Sequence, residues 1–209
     1  MADQPRIPRD TAALPACGDG ISGPDLSAHK TALRQALLAA RRAIDPLQKD
    51  RWDAQIRSQV LAWCAAHQVA ELGVYWPLRG EPDLSAAYQT LSEAGVRLAL
   101  PVVLARDAPL GFAEWLPGEA MDKDGMGVAV PAELRMRARP PALLVPCVGF
   151  SADFYRLGYG GGYYDRTLAP APRPLSAGVA YGCMQARFAR APHDVALDLV
   201  LTEIEAPRP

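Results

Sequence analysis

Ala142 to Val148 reads Ala-Leu-Leu-Val-Pro-Cys-Val, apolar at every position, with Pro140-Pro141 before it and Gly149 after it. A strand whose residues do not alternate must be covered on both faces, the condition of a central strand in a parallel sheet. The runs Val69 to Tyr75, Val96 to Leu104, Pro109 to Trp115, Ala177 to Tyr181 and Leu197 to Thr202 read as its partners. Asp83 to Glu93, closed by Gly95, reads as a helix between two of them. Two longer helices come first. One starts at a Ser27 N-cap and runs to Ile44 on a stripe of Leu33, Leu37, Ala40 and Ile44, bordered by a basic row of Lys30, Arg34 and Arg41. The other takes Asp45 as cap and Pro46 in its first turn, with Trp52, Ile56, Val60 and Trp63 turned inward. The pattern predicts an α/β fold: an open, largely parallel sheet with helices on both faces, a Rossmann-like three-layer arrangement binding ligands at the carboxyl ends of its strands. Gly118 to Gly127 is expected to be a glycine-rich loop, mobile or gated by ligand.

A chain of 209 residues suffices for one such domain, assigned to residues 27–209. Residues 1–26 carry Pro5, Pro8, Pro15 and Pro24 among Gly18, Gly20 and Gly23, hold no hydrophobic period, and are expected to be a disordered N-terminal extension. The net charge of −1 excludes a global attraction to nucleic acid or to anionic membrane, so any anion site must be local. No apolar run approaches the ~18 residues of a membrane span, nor is there an N-terminal apolar core of the secretory kind, so a cytoplasmic location is expected. Cys17, Cys64, Cys147 and Cys183 are far apart, which suggests neither a disulfide framework nor a zinc site. His29, His67 and His193 have no metal-ligand spacing, and Arg135, Arg137 and Arg139 alternate as on a solvated edge strand.

The chemistry concentrates in Arg156-Leu-Gly-Tyr-Gly-Gly-Gly-Tyr-Tyr-Asp-Arg166, after the buried strand and before a short helical pattern ending near Leu168. Gly158, Gly160, Gly161 and Gly162 let backbone amides approach a phosphate. It is not a Walker A loop, since GK[ST] is missing, and counting GxGxxG from Gly158 puts Tyr163 where the last glycine belongs. On the first helix Lys30 and Arg34 lie one turn apart, as a phosphate clamp requires.

Together with Leu144-Val-Pro-Cys-Val-Gly-Phe150, this stretch closely resembles the 5-formyltetrahydrofolate cyclo-ligase family, also called 5,10-methenyltetrahydrofolate synthetases. The resemblance runs from Lys30 to Glu203, through the Trp76 to Glu81 loop, Tyr181, Gln185, His193-Asp194, Asp198 and Thr202-Glu203. It implies ATP- and magnesium-dependent cyclisation of 5-formyltetrahydrofolate to 5,10-methenyltetrahydrofolate, with ADP and phosphate released through a phosphorylated formyl intermediate. Such phosphoryl transfer needs positioning and charge stabilisation more than a protein nucleophile, which suits a chain without a Ser-His-Asp or Cys-His pairing.

The resemblance gives Lys30, Arg34, Arg156, Gly158, Gly160, Gly161, Gly162, Tyr163 and Tyr164 to ATP, with Arg156 and Tyr163 at the reacting groups. It gives Asp165 and Asp198 to Mg²⁺, although each could instead be structural, one at a helix start and one ending a loop. Trp76 and Glu81 would hold the folate, with or without a polyglutamate tail, joined by the shared loop Tyr159 to Tyr163 and by Trp115 as a candidate stacking surface. A monomer without nucleic-acid or membrane partners is expected. Ser151, Val130 and the Phe154-Tyr155 pair depart from the family's pattern of Asp, Glu and a glycine-containing turn. Two other readings use the same residues: a divergent relative taking ATP and another formylated or pterin-like substrate, and a nucleotide- or RNA-binding module. Balanced charge and the acidic metal candidates disfavour the latter.

Overall fold

The computed structural model describes residues 24–204, so the extension expected over residues 1–26 falls, for residues 1–23, outside the described residues, as does Cys17. Helix α1 (Pro24–Arg42) starts before Ser27, which sits inside it with its carbonyl accepting from the Thr31 hydroxyl. Leu33 and Leu37 are buried as the stripe requires, and so are two members of the basic row, Lys30 and Arg41. Helix α2 (Pro46–Ala66) has the expected cap: the Asp45 carboxylate accepts from the Gln48 amide at 3.0 Å. Ile56, Val60 and Trp63 are buried along it, while Trp52 packs on Tyr181 with ring centroids 5.6 Å apart.

Next come β1 (Glu71–Gly73), α3 (Ser85–Glu93), β2 (Arg97–Val102), β3 (Gly111–Trp115), β4 (Met121–Lys123), β5 (Ala129–Pro131) and β6 (Met136–Arg137). The chain continues through β7 (Ala142–Pro146), β8 (Gly149–Phe150), β9 (Arg156–Leu157), α4 (Tyr163–Leu168), β10 (Leu175–Val179) and β11 (Leu199–Leu201). Seven strands form one sheet in the order β11-β10-β7-β1-β2-β3-β6. The first five run parallel, and β3 and β6 are added antiparallel at one edge. On β7 the neighbours Leu143 and Leu144 point to opposite faces and are 1% and 0% exposed, so both faces are covered, as the unbroken apolar run demands.

The order also fixes where a ligand sits. From β1 the chain builds outward through β2, β3 and β6, then returns to the other side of β1 with β7 and continues to β10 and β11. The switch between β1 and β7 leaves a crevice at their carboxyl ends, where Tyr75-Trp76 follow one strand and Pro146 ends the other.

Two segments differ from the expectation. Residues 118–127 belong to an antiparallel hairpin of β4 and β5, because Asp124 Oδ1 accepts from the amides of Met126 and Val128, each at 2.9 Å, and so orders the turn. Val130 is buried in that hairpin with Val102 and Ala113, which accounts for an apolar residue there. A second hairpin, β8 with β9, carries the chain from the central strand to the glycine stretch. At its tip Phe154 adopts φ 60°, the left-handed conformation for which a glycine is suited, and Ser151 Oγ accepts from the Tyr155 amide at 3.2 Å.

Candidate active site

A cavity of about 700 Å³ opens at the switch point, lined by α1, the loop after β1, the tip of the β4–β5 hairpin, the glycine stretch and the segment 191–194. Lys30, Arg34, Arg156 and Asp165 all line it, and so does Asp194. Lys30 Nζ donates to Asp194 Oδ2 at 2.5 Å, and the same oxygen accepts from the Ala191 amide at 2.7 Å. Arg156 Nη2 donates to Asp165 Oδ2 at 2.7 Å, while Asp165 Oδ1 accepts from the Val195 amide at 3.3 Å, next in chain to Asp194. Three cations and two carboxylates therefore form one group. Burial pushes the Arg34 guanidinium below its ordinary value, Asp194 opposes that, and the nearby Arg156 charge adds to it. Arg156 Nε is buried without a hydrogen-bond partner, and its guanidinium lies 5.2 Å from the centre of the Tyr164 ring.

The glycine stretch is shaped by this group. Arg34 Nε donates to the Gly158 carbonyl at 2.7 Å, and a Cβ on Gly158 would stand 2.2 Å from Arg156 Nη1, so a side chain there would displace the cation. Gly160 has φ +103°, which only glycine holds without strain. Gly160, Gly161, Gly162, Tyr159, Tyr163 and Tyr164 all face the cavity, and Gly162, left-handed at φ 64°, is the residue from which the short α4 begins.

On the β1 side, Glu81 is 2% exposed. Its Oε2 accepts from the Leu78 amide at 2.8 Å and its Oε1 from the Tyr159 hydroxyl at 2.6 Å. Burial raises its carboxyl above the ordinary range, partly offset by those two hydrogen bonds and by Arg41 and Arg79. Trp76 lies beside it on the cavity wall.

Two expectations need correction. Asp198 does not line the cavity. It precedes β11 and accepts, through Oδ2, from the Ser176 amide at 2.7 Å and the Ser176 hydroxyl at 2.9 Å, which ties together the starts of the parallel strands β10 and β11. The cavity lies at the other ends of these strands, so the carboxylate beside Asp165 is Asp194, four residues earlier. Trp115 is 5% exposed and absent from the cavity wall; it packs edge-on against Trp76 and Tyr88, ring centroids 6.1 and 5.9 Å away, and so supports Trp76 from behind. The arginines of residues 135–139 lie on and beside the edge strand β6, as expected of an exposed edge, and take partners there: Arg135 pairs with Glu119, Arg137 with Glu114, and Arg139 donates to the Thr167 carbonyl.

Sequence reasoning also gave no role to Arg41, which the structure buries beneath the site. Its periodicity with Lys30 and Arg34 was the available signal. Several other motif residues are structural: Tyr181 donates to the buried Asp53 at 2.6 Å, and the Gly182 amide donates to Glu203 at 2.8 Å. His193 is largely exposed.

The family model of the 5-formyltetrahydrofolate cyclo-ligase family matches residues 26–203. A 5-formyltetrahydrofolate cyclo-ligase of Mycolicibacterium smegmatis is 31% identical over 193 residues, covering 83% of this chain and 93% of that protein. Another, from Mycoplasma pneumoniae, is 28% identical over 177 residues, covering 83% and 98%. The solved structure of Aquifex aeolicus 5,10-methenyltetrahydrofolate synthetase superposes with a TM-score of 0.73 at 26% identity, covering 84% of this chain and 90% of its own.

Proposed function

Because this chain belongs to the 5-formyltetrahydrofolate cyclo-ligase family, and is therefore a ligase, we propose that it converts 5-formyltetrahydrofolate to 5,10-methenyltetrahydrofolate at the expense of ATP, as a cytoplasmic monomer. One observation carries this reading: a single cavity holds the cations Lys30, Arg34 and Arg156 along one wall and the buried acceptor Glu81 with Trp76 along another. Polyphosphate and a donor-rich pterin thus meet at the glycine stretch.

The formyl oxygen attacks the γ-phosphorus, the bond to the bridging oxygen breaks, and ADP leaves. N10 then adds to the formyl carbon, the carbon–oxygen bond breaks with release of phosphate, and N10 gives up its proton. Arg156, Lys30 and Arg34 hold the triphosphate, and the amides from Gly158 to Tyr164 approach its oxygens. Tyr163 stands at the junction of both ligands. Glu81 accepts from the pterin and Trp76 covers its apolar surface.

Magnesium favours several waters and one or two carboxylates beside phosphate oxygens over an all-protein cage. Among the described residues no three His, Cys, Asp or Glu form a cage, and the two carboxylates Asp165 and Asp194 on a cation-lined wall suit that preference. They are the residues that would hold it, and its chemistry there is neutralisation of phosphate charge.

The test is the absorbance of methenyltetrahydrofolate formed from 5-formyltetrahydrofolate with and without Mg-ATP. Formation only with both is expected. ATP hydrolysis stimulated by a different formylated pterin, with none by this folate, would favour a divergent substrate.

A further inference from the structure

Arg41 lies under the cavity, 3% exposed, with each part of its guanidinium engaged. Nε donates to the Arg79 carbonyl at 3.1 Å and Nη1 to the Cys147 carbonyl at 3.2 Å, which fixes the fork between the loop after β1 and the end of the central strand segment. Nη2 donates to the Tyr159 hydroxyl at 2.7 Å, and that hydroxyl is 2.6 Å from Glu81 Oε1. A guanidinium only donates, and a phenol has one proton. With its oxygen already accepting from Arg41, the Tyr159 hydroxyl must send its proton to Glu81. The direction of the whole chain is therefore set at Arg41.

We propose that Arg41 is a positioning residue for the ligase reaction: through Tyr159 it keeps both oxygens of Glu81 as acceptors for the substrate and ties the glycine stretch to the substrate acid. The inference rests on the reading of Glu81 as the folate-binding acid. Glu81 accepts on one oxygen from Tyr159 and on the other from the Leu78 amide, so neither bond requires the carboxyl to carry a proton. A protonated Glu81 would place a donor where the pterin presents donors, and binding would fail. The groups facing Glu81 are the cations Arg41 from α1 and Arg79 from its own loop, the phenols of Tyr75, Tyr88, Tyr159 and Tyr164, and the Cys147 thiol. Only the two arginines carry charge, and only Arg41 acts through a bond that reaches the carboxylate. Tyr159 is also one residue from Gly158, whose carbonyl Arg34 holds, and beside Gly160, so the same phenol anchors the phosphate-facing loop. The guanidinium of Arg79, 5.3 Å from the Tyr159 ring centre, covers its outer face.

Binding of 5-formyltetrahydrofolate, measured by calorimetry from pH 5 to 8, should weaken as pH falls and Glu81 takes up a proton. Loss of the donor raises the Glu81 carboxyl further, so in Tyr159→Phe and in Arg41→Gln the midpoint of this loss should move up by about one pH unit, with affinity on the acid side of both midpoints about tenfold weaker. Arg41→Lys, which keeps one donor for the phenol, should return the midpoint part of the way. Circular dichroism and binding of a non-hydrolysable ATP analogue establish that each variant is folded, and Tyr159→Phe alone decides the matter if Arg41→Gln is not. Glu81→Ala separates the two readings. If it binds the folate as wild type does, the Glu81 assignment is wrong; if it loses the folate while folded Tyr159→Phe keeps the wild-type midpoint, the Arg41 inference is overturned.

Discussion

At the scale of single residues, the site is decided by which end of a strand a carboxylate occupies. Asp194 and Asp198 are four positions apart, yet one anchors Lys30 on the cavity wall and the other ties Ser176 at the far end of β10. Asp165→Asn and Asp194→Asn should each reduce turnover strongly at limiting Mg²⁺. Asp198→Asn should leave turnover near wild type while losing about 1 kcal/mol of stability to urea, the worth of a hydrogen bond. Turnover lost in Asp198→Asn without loss of stability would contradict the placement. Lys30→Ala and Arg34→Ala should raise the KM for ATP far more than that for the folate if, as proposed, both hold the triphosphate. Arg156 was legible because it opens the unusual glycine stretch, and Glu81 because the loop from Trp76 to Glu81 is part of the family resemblance. The choice between Asp194 and Asp198 was not, because spacing does not say where a strand begins. Nor was the role of Trp115, since an aromatic residue at a strand end looks the same whether it lines a cavity or backs the residue that does. Arg41 escaped because its partners, Tyr159 and the carbonyls of Arg79 and Cys147, come from three distant parts of the chain.

Secondary-structure elements show the same division. The α2 cap, the α3 helix and the central strand could be read directly, since each rests on local chemistry: a side-chain cap, a helical period, a run of apolar residues. The hairpins could not. With β4 and β5 three residues long and β8 and β9 two, no alternation has room to develop. What makes them is turn chemistry, and Asp124-Gly125 was the signal at the first. Asp124→Ala removes the acceptor of two amides and should speed hydrogen exchange across residues 121–131 by roughly tenfold, with an increase in the KM for folate because Asp124, Met126 and Val128 face the cavity. Unchanged exchange would mean that the strand pairing alone holds the turn. At the second hairpin Phe154 sits in a left-handed conformation, 43% exposed, so little packing offsets the strain. Phe154→Gly should therefore stabilise the protein by about 1 kcal/mol, read as a rise in Tm; a fall would show that the phenyl contacts outweigh the backbone.

The molecule as a whole places its cavity where the sheet reverses its direction of growth, with the cation-lined wall assembled from α1, the glycine stretch and residues 191–194. That the sheet is open and mostly parallel followed from one unalternating strand; the position of each strand within it did not, because pairing is decided by crossovers that sequence periods do not encode. An ATP analogue at about a hundred times its Kd should stabilise the wild type by about 2.7 kcal/mol, and most of that should vanish in Lys30→Ala, as thermal unfolding would report. The bond from Lys30 to Asp194 joins residues 164 positions apart. A nascent chain emerging from the ribosome therefore exposes Glu81, Arg156 and the glycines before the partner of Lys30 has been synthesised. A transcript with a stop codon shortly before codon 194 would yield a polypeptide with Glu81, Arg156, Asp165 and the glycines present, and the Lys30 ammonium left without the carboxylate that holds it.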